Sequence, residues 1–121
     1  PWNVNAIAQI AGLQLLKERS FICRSAEKIS SERNRLFRQL AALGYDVSPS
    51  EVNYYLLKET NKEEDMLSFI KFLLKSGIVP RHTYNFAGLD GKYVRLAIKE
   101  KKENDKLLAV LKRWKDECCT L

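Results

Sequence analysis

The chain has 121 residues, of which 45% are hydrophobic and 30% charged, and its formal net charge is +6. These values predict one folded domain with a buried core and argue against a disordered tail. No apolar run reaches the roughly 18–20 residues of a membrane span, and the first residues do not resemble a signal peptide, so we expect no membrane partner.

The distribution of charge and cysteine excludes two further classes. Lysines and glutamates alternate along much of the chain, as in residues 99–103, which is typical of a solvated helix surface and not of a nucleic-acid groove. We therefore expect no nucleic-acid partner. Cys23, Cys118 and Cys119 fit neither a disulfide framework nor a zinc spacing, which indicates a reducing, cytoplasmic setting.

Two helices are predicted at the start of the chain. In the first, Asn3 or Asn5 can cap a segment whose apolar residues recur at helical spacing: Ile7, Ile10, Ala11, Leu15 and Leu16. The second runs from Ser20 to about Leu43, where Gly44 can end it, and its apolar stripe comprises Ile22, Ala26, Ile29, Leu36, Leu40 and Leu43. We interpret both stripes as core.

The rest of the chain alternates strands and helices. Residues 52–57 are strand-like, and residues 63–75 predict a helix with Asn61 as a cap and Gly77 at its end. Residues 78–83 and 93–98 predict two strands joined by a turn at residues 88–91, and residues 101–117 predict a final helix. This order predicts an α+β domain of two layers, about three strands backed by helices.

Two arginines, Arg81 and Arg95, lie near the ends of the last two strand-like runs. An arginine within an apolar run must offset the burial of a charge that cannot be neutralised at ordinary pH. A planar, two-pronged grip on a carboxylate or phosphate does this, so two such residues suggest a small ligand with two anionic groups. The alternative is that one or both form structural ion pairs.

Common catalytic and cofactor signatures are missing from the sequence. It has no phosphate-binding GxxxxGK[ST], no dinucleotide GxGxxG and no HExxH metal motif. His82 is the only histidine, which excludes a histidine-rich metal site, and no nucleophile elbow accompanies it. We interpret His82 as a hydrogen-bonded structural residue.

Five short segments stand out along the chain: Pro1-Trp2-Asn3-Val4-Asn5-Ala6-Ile7-Ala8-Gln9, Glu32-Arg33-Asn34-Arg35-Leu36, Pro49-Ser50-Glu51-Val52-Asn53-Tyr54, Gly77-Ile78-Val79-Pro80-Arg81 and Tyr93-Val94-Arg95-Leu96-Ala97-Ile98. In this order they resemble the C-terminal small domain of fold-type-I pyridoxal-phosphate enzymes, over residues 1 to about 115. The nearest groups are threonine-phosphate decarboxylase and histidinol-phosphate aminotransferase.

Within this resemblance, two details favour the decarboxylase group. Aminotransferase relatives commonly follow the second arginine's strand with a Gly-Thr pair, whereas Lys99 and Glu100 follow it here. The loop over residues 81–89 is also more similar to the decarboxylase loop. Thr83 departs from that group, because many of its members have cysteine there.

The resemblance implies roles and partners for the protein. Arg95 would bind the substrate α-carboxylate and Arg81 its phosphate, and pyridoxal phosphate would act as the electron sink. Decarboxylation of threonine phosphate would yield aminopropanol phosphate for cobalamin synthesis. The Schiff-base lysine would lie upstream, so residues 1–121 would have no catalytic or cofactor-binding residue of their own and would be inactive alone. Residues 1–121 begin with Pro1 and not methionine, and we expect them to be one domain of a longer, homodimeric enzyme. A basic binding module for nucleic acid or protein is the competing class.

Overall fold

The computed structural model describes residues 5–59 and 66–118. Its elements, in chain order, are α1 (Ala6–Leu15), α2 (Arg19–Ala42), β1 (Asp46–Val47), β2 (Tyr54–Lys58), α3 (Met66–Lys75), β3 (Arg81–His82), β4 (Val94–Ala97) and α4 (Lys101–Cys118). The described strands form one antiparallel sheet in the order β1-β2-β4-β3. The predicted α+β class is therefore confirmed. Asn61 and Glu63, the predicted start of the third helix, lie outside the described residues.

The sheet has two distinct faces because side chains alternate along each strand. Tyr55, Leu57, Val94 and Leu96 are buried and define the inner face. Their neighbours point the other way and define the outer face, which comprises Tyr54, Leu56, Lys58, Arg81, Arg95 and Ala97. These six residues are exposed or half-buried.

The core lies between the inner face and three helices. The buried helical residues that join the inner-face residues in one cluster are Leu36 and Leu40 of α2, Phe69 and Leu73 of α3, and Leu107, Leu108, Leu111 and Trp114 of α4. The α4 helix contacts both α2 and α3, and together they form the second layer.

The predicted helix ends depend on local chemistry and are largely confirmed. Asn5 caps α1, because its side chain accepts a hydrogen bond from the Ala8 amide at 2.8 Å. Gly44 and Gly77 follow α2 and α3 with φ angles of +77°. After each glycine, the next amide donates back into the helix, from Tyr45 to the Leu40 carbonyl and from Ile78 to the Leu73 carbonyl. This is the Schellman arrangement that glycine permits at least cost.

The predicted strands differ from the observed ones in number and length. A fourth short strand, β1, pairs with the end of β2. The strand predicted over residues 52–57 starts at Tyr54, because Ser50 Oγ accepts from the Val52 amide and donates to the Tyr54 carbonyl, which makes a turn there. The strand predicted over residues 78–83 is only two residues long, and Pro80, which has no amide hydrogen to donate, precedes it.

The interpretation of the first apolar stripe as core is wrong for the described structure. No residue of α1 is buried, and Ile7 and Leu16 are 80% and 69% exposed. The interpretation is also wrong for the first part of the second stripe, because Ile22 and Ala26 of α2 are exposed, as is the neighbouring Phe21. The inner face is covered by the second half of α2 together with α3 and α4, so the described residues leave these apolar side chains uncovered. None of the described helices is both long and apolar enough to span a membrane.

A polar network joins α2, α4 and the end of β4. The buried Asn104 donates to Glu32 Oε1 at 2.9 Å and to the Lys99 carbonyl at 2.8 Å, and it accepts from the Lys99 amide. Arg35 grips the Glu32 carboxylate through two contacts of 2.6 and 2.8 Å and also reaches Asp105. Because Asn104 uses its amide on both elements, its burial carries little penalty.

Replacement of Tyr55 by phenylalanine is expected to stabilise the protein. The Tyr55 hydroxyl is buried with no hydrogen-bond partner among the described residues, and burial raises the pKa of Tyr55 above its usual value. Removal of an unsatisfied hydroxyl should raise the free energy of unfolding by about 1 kcal/mol. Tyr45→Phe is the matched control. The Tyr45 hydroxyl donates to the Leu111 carbonyl at 2.9 Å, so its removal should lower the free energy of unfolding by about 1 kcal/mol. Urea unfolding measures both, and equal effects of the two variants would contradict this.

Acidification is expected to destabilise the fold through Glu32. The hydrogen bonds from Arg35 lower the pKa of Glu32 below its ordinary value of 4.5. A carboxyl whose pKa is lower when folded contributes stability above its unfolded pKa and loses it as pH falls through the folded pKa. The free energy of unfolding should therefore decrease as the pH falls below about 4.5, and this decrease should be smaller in Glu32→Gln. Urea titrations at several pH values test this, with Glu27→Gln on the exposed surface of α2 as the control.

Candidate functional site

The two predicted site residues lie directly opposite each other in the sheet. Arg81 of β3 and Arg95 of β4 are Cα partners, so their side chains leave the sheet on the same side, the outer face. On the other side of Arg95, its partner is Leu56 of β2. Like charges directly opposite each other destabilise an antiparallel pair, and an anion between them would relieve this repulsion.

Neither arginine has a carboxylate partner in the part of the chain that the structure describes. Across residues 5–59 and 66–118, no salt bridge involves Arg81 or Arg95, whereas Arg33 pairs with Glu51 at 2.8 Å and Arg35 pairs with Glu32 and Asp105. The alternative of structural ion pairs therefore has no support among these residues. The premise that both arginines are buried is wrong, since Arg81 is exposed and Arg95 is half-buried.

Glu51, the partner of Arg33, comes from another of the five segments noted in the sequence. Arg33 is 7% exposed on α2, and its guanidinium reaches the Glu51 carboxylate just before β2. Two of those segments therefore meet in a structural contact and not at the arginine pair. Asn5 serves as the cap of α1, and Asn3 lies outside the described residues.

The loop between the two arginine strands is held closed at its base. Thr83 is buried, and its hydroxyl donates to the Tyr93 carbonyl at 2.7 Å. Farther along, a Cβ on Gly91 would lie 2.1 Å from the Tyr84 ring, so only glycine lets that ring pack over the backbone. The Tyr84 ring in turn lies 5.7 Å from the His82 ring. This packing fixes the loop that joins Arg81 to Arg95.

One residue near the arginines was missed by the sequence reasoning. Tyr54 of β2 lies on the outer face, and its ring centroid is 4.9 Å from the guanidinium carbon of Arg95. The signal available in the sequence is the alternation along β2, which separates Tyr54 from the buried Tyr55. That alternation does not reveal the register with β4, so the proximity to Arg95 could not be predicted.

Among the described residues, no cluster of three His, Cys, Asp or Glu could hold a metal ion.

Comparison with known proteins identifies the family. The sequence pattern of the family described as aminotransferase class I and II matches residues 1–111. The chain belongs to this family. Enzymes of the class I and II aminotransferase family that have this fold use pyridoxal phosphate.

Relatives within the family carry two different names. The chain is 33% identical over 113 residues to the threonine-phosphate decarboxylase of Salmonella typhimurium, covering 93% of this chain and 30% of that protein. It is 31% identical over 118 residues to the histidinol-phosphate aminotransferase of Pyrococcus furiosus, covering 98% and 31%. The crystal structure of histidinol-phosphate aminotransferase from Clostridium acetobutylicum matches with a TM-score of 0.84 and 35% identity, over 97% of this chain and 35% of that chain.

These coverages bear on what the chain contributes to an enzyme. The chain spans about a third of the length of these class I and II aminotransferase relatives. The match extends over almost all of this chain and includes both arginine strands. The family and the fold are thereby established, whereas the two relatives' names differ in reaction and substrate.

An oxyanion is expected to stabilise the protein through the arginine pair. Inorganic phosphate should raise the thermal midpoint more than chloride at equal ionic strength, because it binds the folded state between Arg81 and Arg95. Phosphate also stabilises proteins non-specifically, so the test compares the excess rise in thermal midpoint between the wild type and the variants. Arg81→Gln and Arg95→Gln should each lose most of the excess stabilisation, while Arg38→Gln, at an exposed site on α2, should retain it. Equal responses of all four proteins would contradict the site.

Proposed function

We propose that residues 1–121 are the C-terminal small domain of a pyridoxal-phosphate-dependent L-threonine-O-3-phosphate decarboxylase. The observation that carries the proposal is the Cα pairing of Arg81 with Arg95, with no described carboxylate on either. Two arginines on directly opposite positions of paired strands, without acidic partners among the described residues, suit a small ligand with two anionic groups. Phosphothreonine carries both a carboxylate and a phosphate, whereas histidinol phosphate carries only the phosphate.

The positions of the two arginines support different roles. Arg95 lies on β4, which has a neighbouring strand on each side, and it is half-buried. A fixed, planar guanidinium there suits the α-carboxylate, which two parallel N–H groups can grip. Arg81 lies on the edge strand β3 and is exposed, which suits the larger and more highly charged phosphate. We assign the carboxylate to Arg95 and the phosphate to Arg81.

In this proposal the described residues bind the substrate, and we assign none of them to the cofactor. The outer face around Arg81 and Arg95 is open, so it does not enclose a pyridine ring, and the arginines' charge is assigned to the substrate. We therefore propose that the lysine and the phosphate contacts of the cofactor lie in sequence outside residues 1–121. The uncovered apolar residues of α1 suit packing against that further sequence, and we propose a homodimeric, cytoplasmic enzyme.

In this proposal, Arg95 acts by orientation. A two-pronged grip on the carboxylate fixes the rotation of the substrate about its Cα–N bond and so selects which bond to Cα is aligned for cleavage. Arg95 cannot shuttle a proton, since its guanidinium stays protonated at ordinary pH. Alignment of the Cα–carboxylate bond favours loss of CO2. Once a proton has replaced the carboxyl group on Cα, the product would be aminopropanol phosphate, which would serve cobalamin synthesis.

The second candidate is a histidinol-phosphate aminotransferase. A histidinol-phosphate aminotransferase matches this chain with an identity and coverage similar to those of a threonine-phosphate decarboxylase, and this supports the second candidate. The connection after β4 supports the decarboxylase: Lys99 and Glu100 stand where aminotransferases commonly have Gly-Thr. Here the Lys99 backbone bonds to Asn104, and the Glu100 carbonyl accepts from the first turn of α4. If the aminotransferase is correct, Arg95 would bind a phosphate or the amino acceptor's carboxylate.

One assay of the full-length protein separates the two candidates. The protein is incubated with pyridoxal phosphate and O-phospho-L-threonine, and CO2 release and keto-acid formation are followed together. CO2 release without an amino acceptor would support the decarboxylase. Acceptor-dependent transamination of histidinol phosphate, with no CO2, would replace it with the aminotransferase.

Substitution of each arginine is expected to affect that reaction differently. Arg95→Ala should lower kcat/KM for phosphothreonine by about 100- to 1,000-fold, because a bidentate charged contact is lost. Arg81→Ala should mainly reduce the preference for phosphothreonine over threonine. Steady-state kinetics on both substrates measure these effects, with Arg38→Ala as the control. Equal losses on the two substrates in Arg81→Ala would rule out its role as the phosphate ligand.

A further inference from the structure

Tyr54 and Arg95 form a cation–π pair on the outer face. Tyr54 is the Cα partner of Ala97, two residues beyond Arg95 on β4, so the two side chains are diagonal neighbours across the strands. Diagonal neighbours of this kind lie within reach of aromatic and long side chains. The guanidinium carbon of Arg95 lies 4.9 Å from the centroid of the Tyr54 ring, well within the distance for a favourable contact.

The Tyr54 ring does not contribute to the core. Tyr55, the next residue, is 1% exposed and packs inside, whereas Tyr54 is 44% exposed on the opposite face. The backbone of Tyr54 is nevertheless held firmly, since Ser50 Oγ donates to its carbonyl and the adjacent Asn53 carbonyl accepts from the Ile98 amide at 2.8 Å. A well-fixed aromatic ring at the surface, beside an arginine, indicates a role that core packing does not explain.

The contact leaves the N–H groups of the Arg95 guanidinium available, and no residue in the described part of the chain binds them. A ring interacts with the face of a guanidinium, whereas carboxylates and phosphates bind its edge, where the N–H groups point. Arg35 shows the contrasting case, because its N–H groups are already engaged by Glu32 and Asp105. An acidic side chain at position 54 would hold Arg95 equally well but would occupy the donors that a ligand needs.

We propose that Tyr54 is a positioning residue for Arg95. Its ring holds the guanidinium in one orientation against the outer face, with the N–H edge free to grip the carboxylate of a ligand bound between Arg95 and Arg81. The identity of that ligand as the substrate rests on the proposed function, whereas the positioning of Arg95 does not. Tyr54 acts through Arg95 and needs no contact with the reacting atoms.

The positioning is tested by chemical labelling of the full-length protein, a readout that does not depend on activity. Phenylglyoxal modifies accessible arginines, and peptide mass spectrometry gives the rate at Arg95 with Arg81 as the internal reference. Loss of the ring in Tyr54→Leu should raise the rate at Arg95 roughly two- to fivefold relative to Arg81. Tyr54→Phe, which retains the ring, should restore the wild-type rate. Val52→Ala is the matched control, because it removes an exposed apolar side chain just before β2.

An unchanged rate in Tyr54→Leu would overturn the positioning role, and so would a rate in Tyr54→Phe as high as in Tyr54→Leu. Steady-state kinetics then test whether the positioning of Arg95 affects ligand binding. Tyr54→Leu should raise KM for phosphothreonine roughly two- to fivefold, and Tyr54→Phe should not. A labelling change with an unchanged KM would overturn the link to ligand binding. If the wild-type protein acts on neither phosphothreonine nor histidinol phosphate, the proposed function is wrong, while the labelling rates still decide whether Tyr54 positions Arg95.

Discussion

The structure depends on the pairing of β4 with a neighbour on each side. Its register with β2 and β3 places Arg95 between Leu56 and Arg81. Because side chains alternate along a strand, the same register sends Val94 and Leu96 into the core. A slip of one residue would exchange these sets, burying an arginine and exposing two apolar side chains. The core and the arginine pair are thus specified by one set of backbone hydrogen bonds.

Polar contacts at both ends of β4 maintain this register. At the loop end, Thr83 holds the Tyr93 carbonyl, and at the other end Asn104 holds both backbone groups of Lys99. Thr83 and Asn104 are buried, and each would be costly without its hydrogen bonds. These contacts make any change in register expensive, because both polar side chains would lose their partners together.

The sequence predicted features that depend on neighbouring residues. Gly44 and Gly77 end helices through their own backbone freedom, and Asn5 caps through a contact three residues away, so each was readable locally. The strand β1 was not predicted, since two residues are too few to show alternation. Helical periodicity in α1 indicated an apolar face but contained no information on what covers it. For that reason, its assignment to the core was wrong.

The candidate site divides along the same line. Arg81 and Arg95 could be selected from the sequence, because a charge within an apolar run is conspicuous. Their direct opposition could not be foreseen, since the loop between them allows several registers. The proximity of Tyr54 depends on a second pairing, with a strand more than thirty residues earlier in the chain. Residue chemistry was thus accessible before the structure, whereas the spatial relations required the sheet.

The exposure of α1 has a consequence for the order in which the domain becomes rigid. A helix of 10 residues is marginal on its own in water, and α1 buries none of its side chains in the described structure. Its free energy of opening must therefore be far below that of α4, which is anchored by Leu111 and Trp114. The domain combines a cooperative core with a segment whose helicity responds to whatever packs on it. Contact with a covering surface would therefore add backbone order as well as buried area.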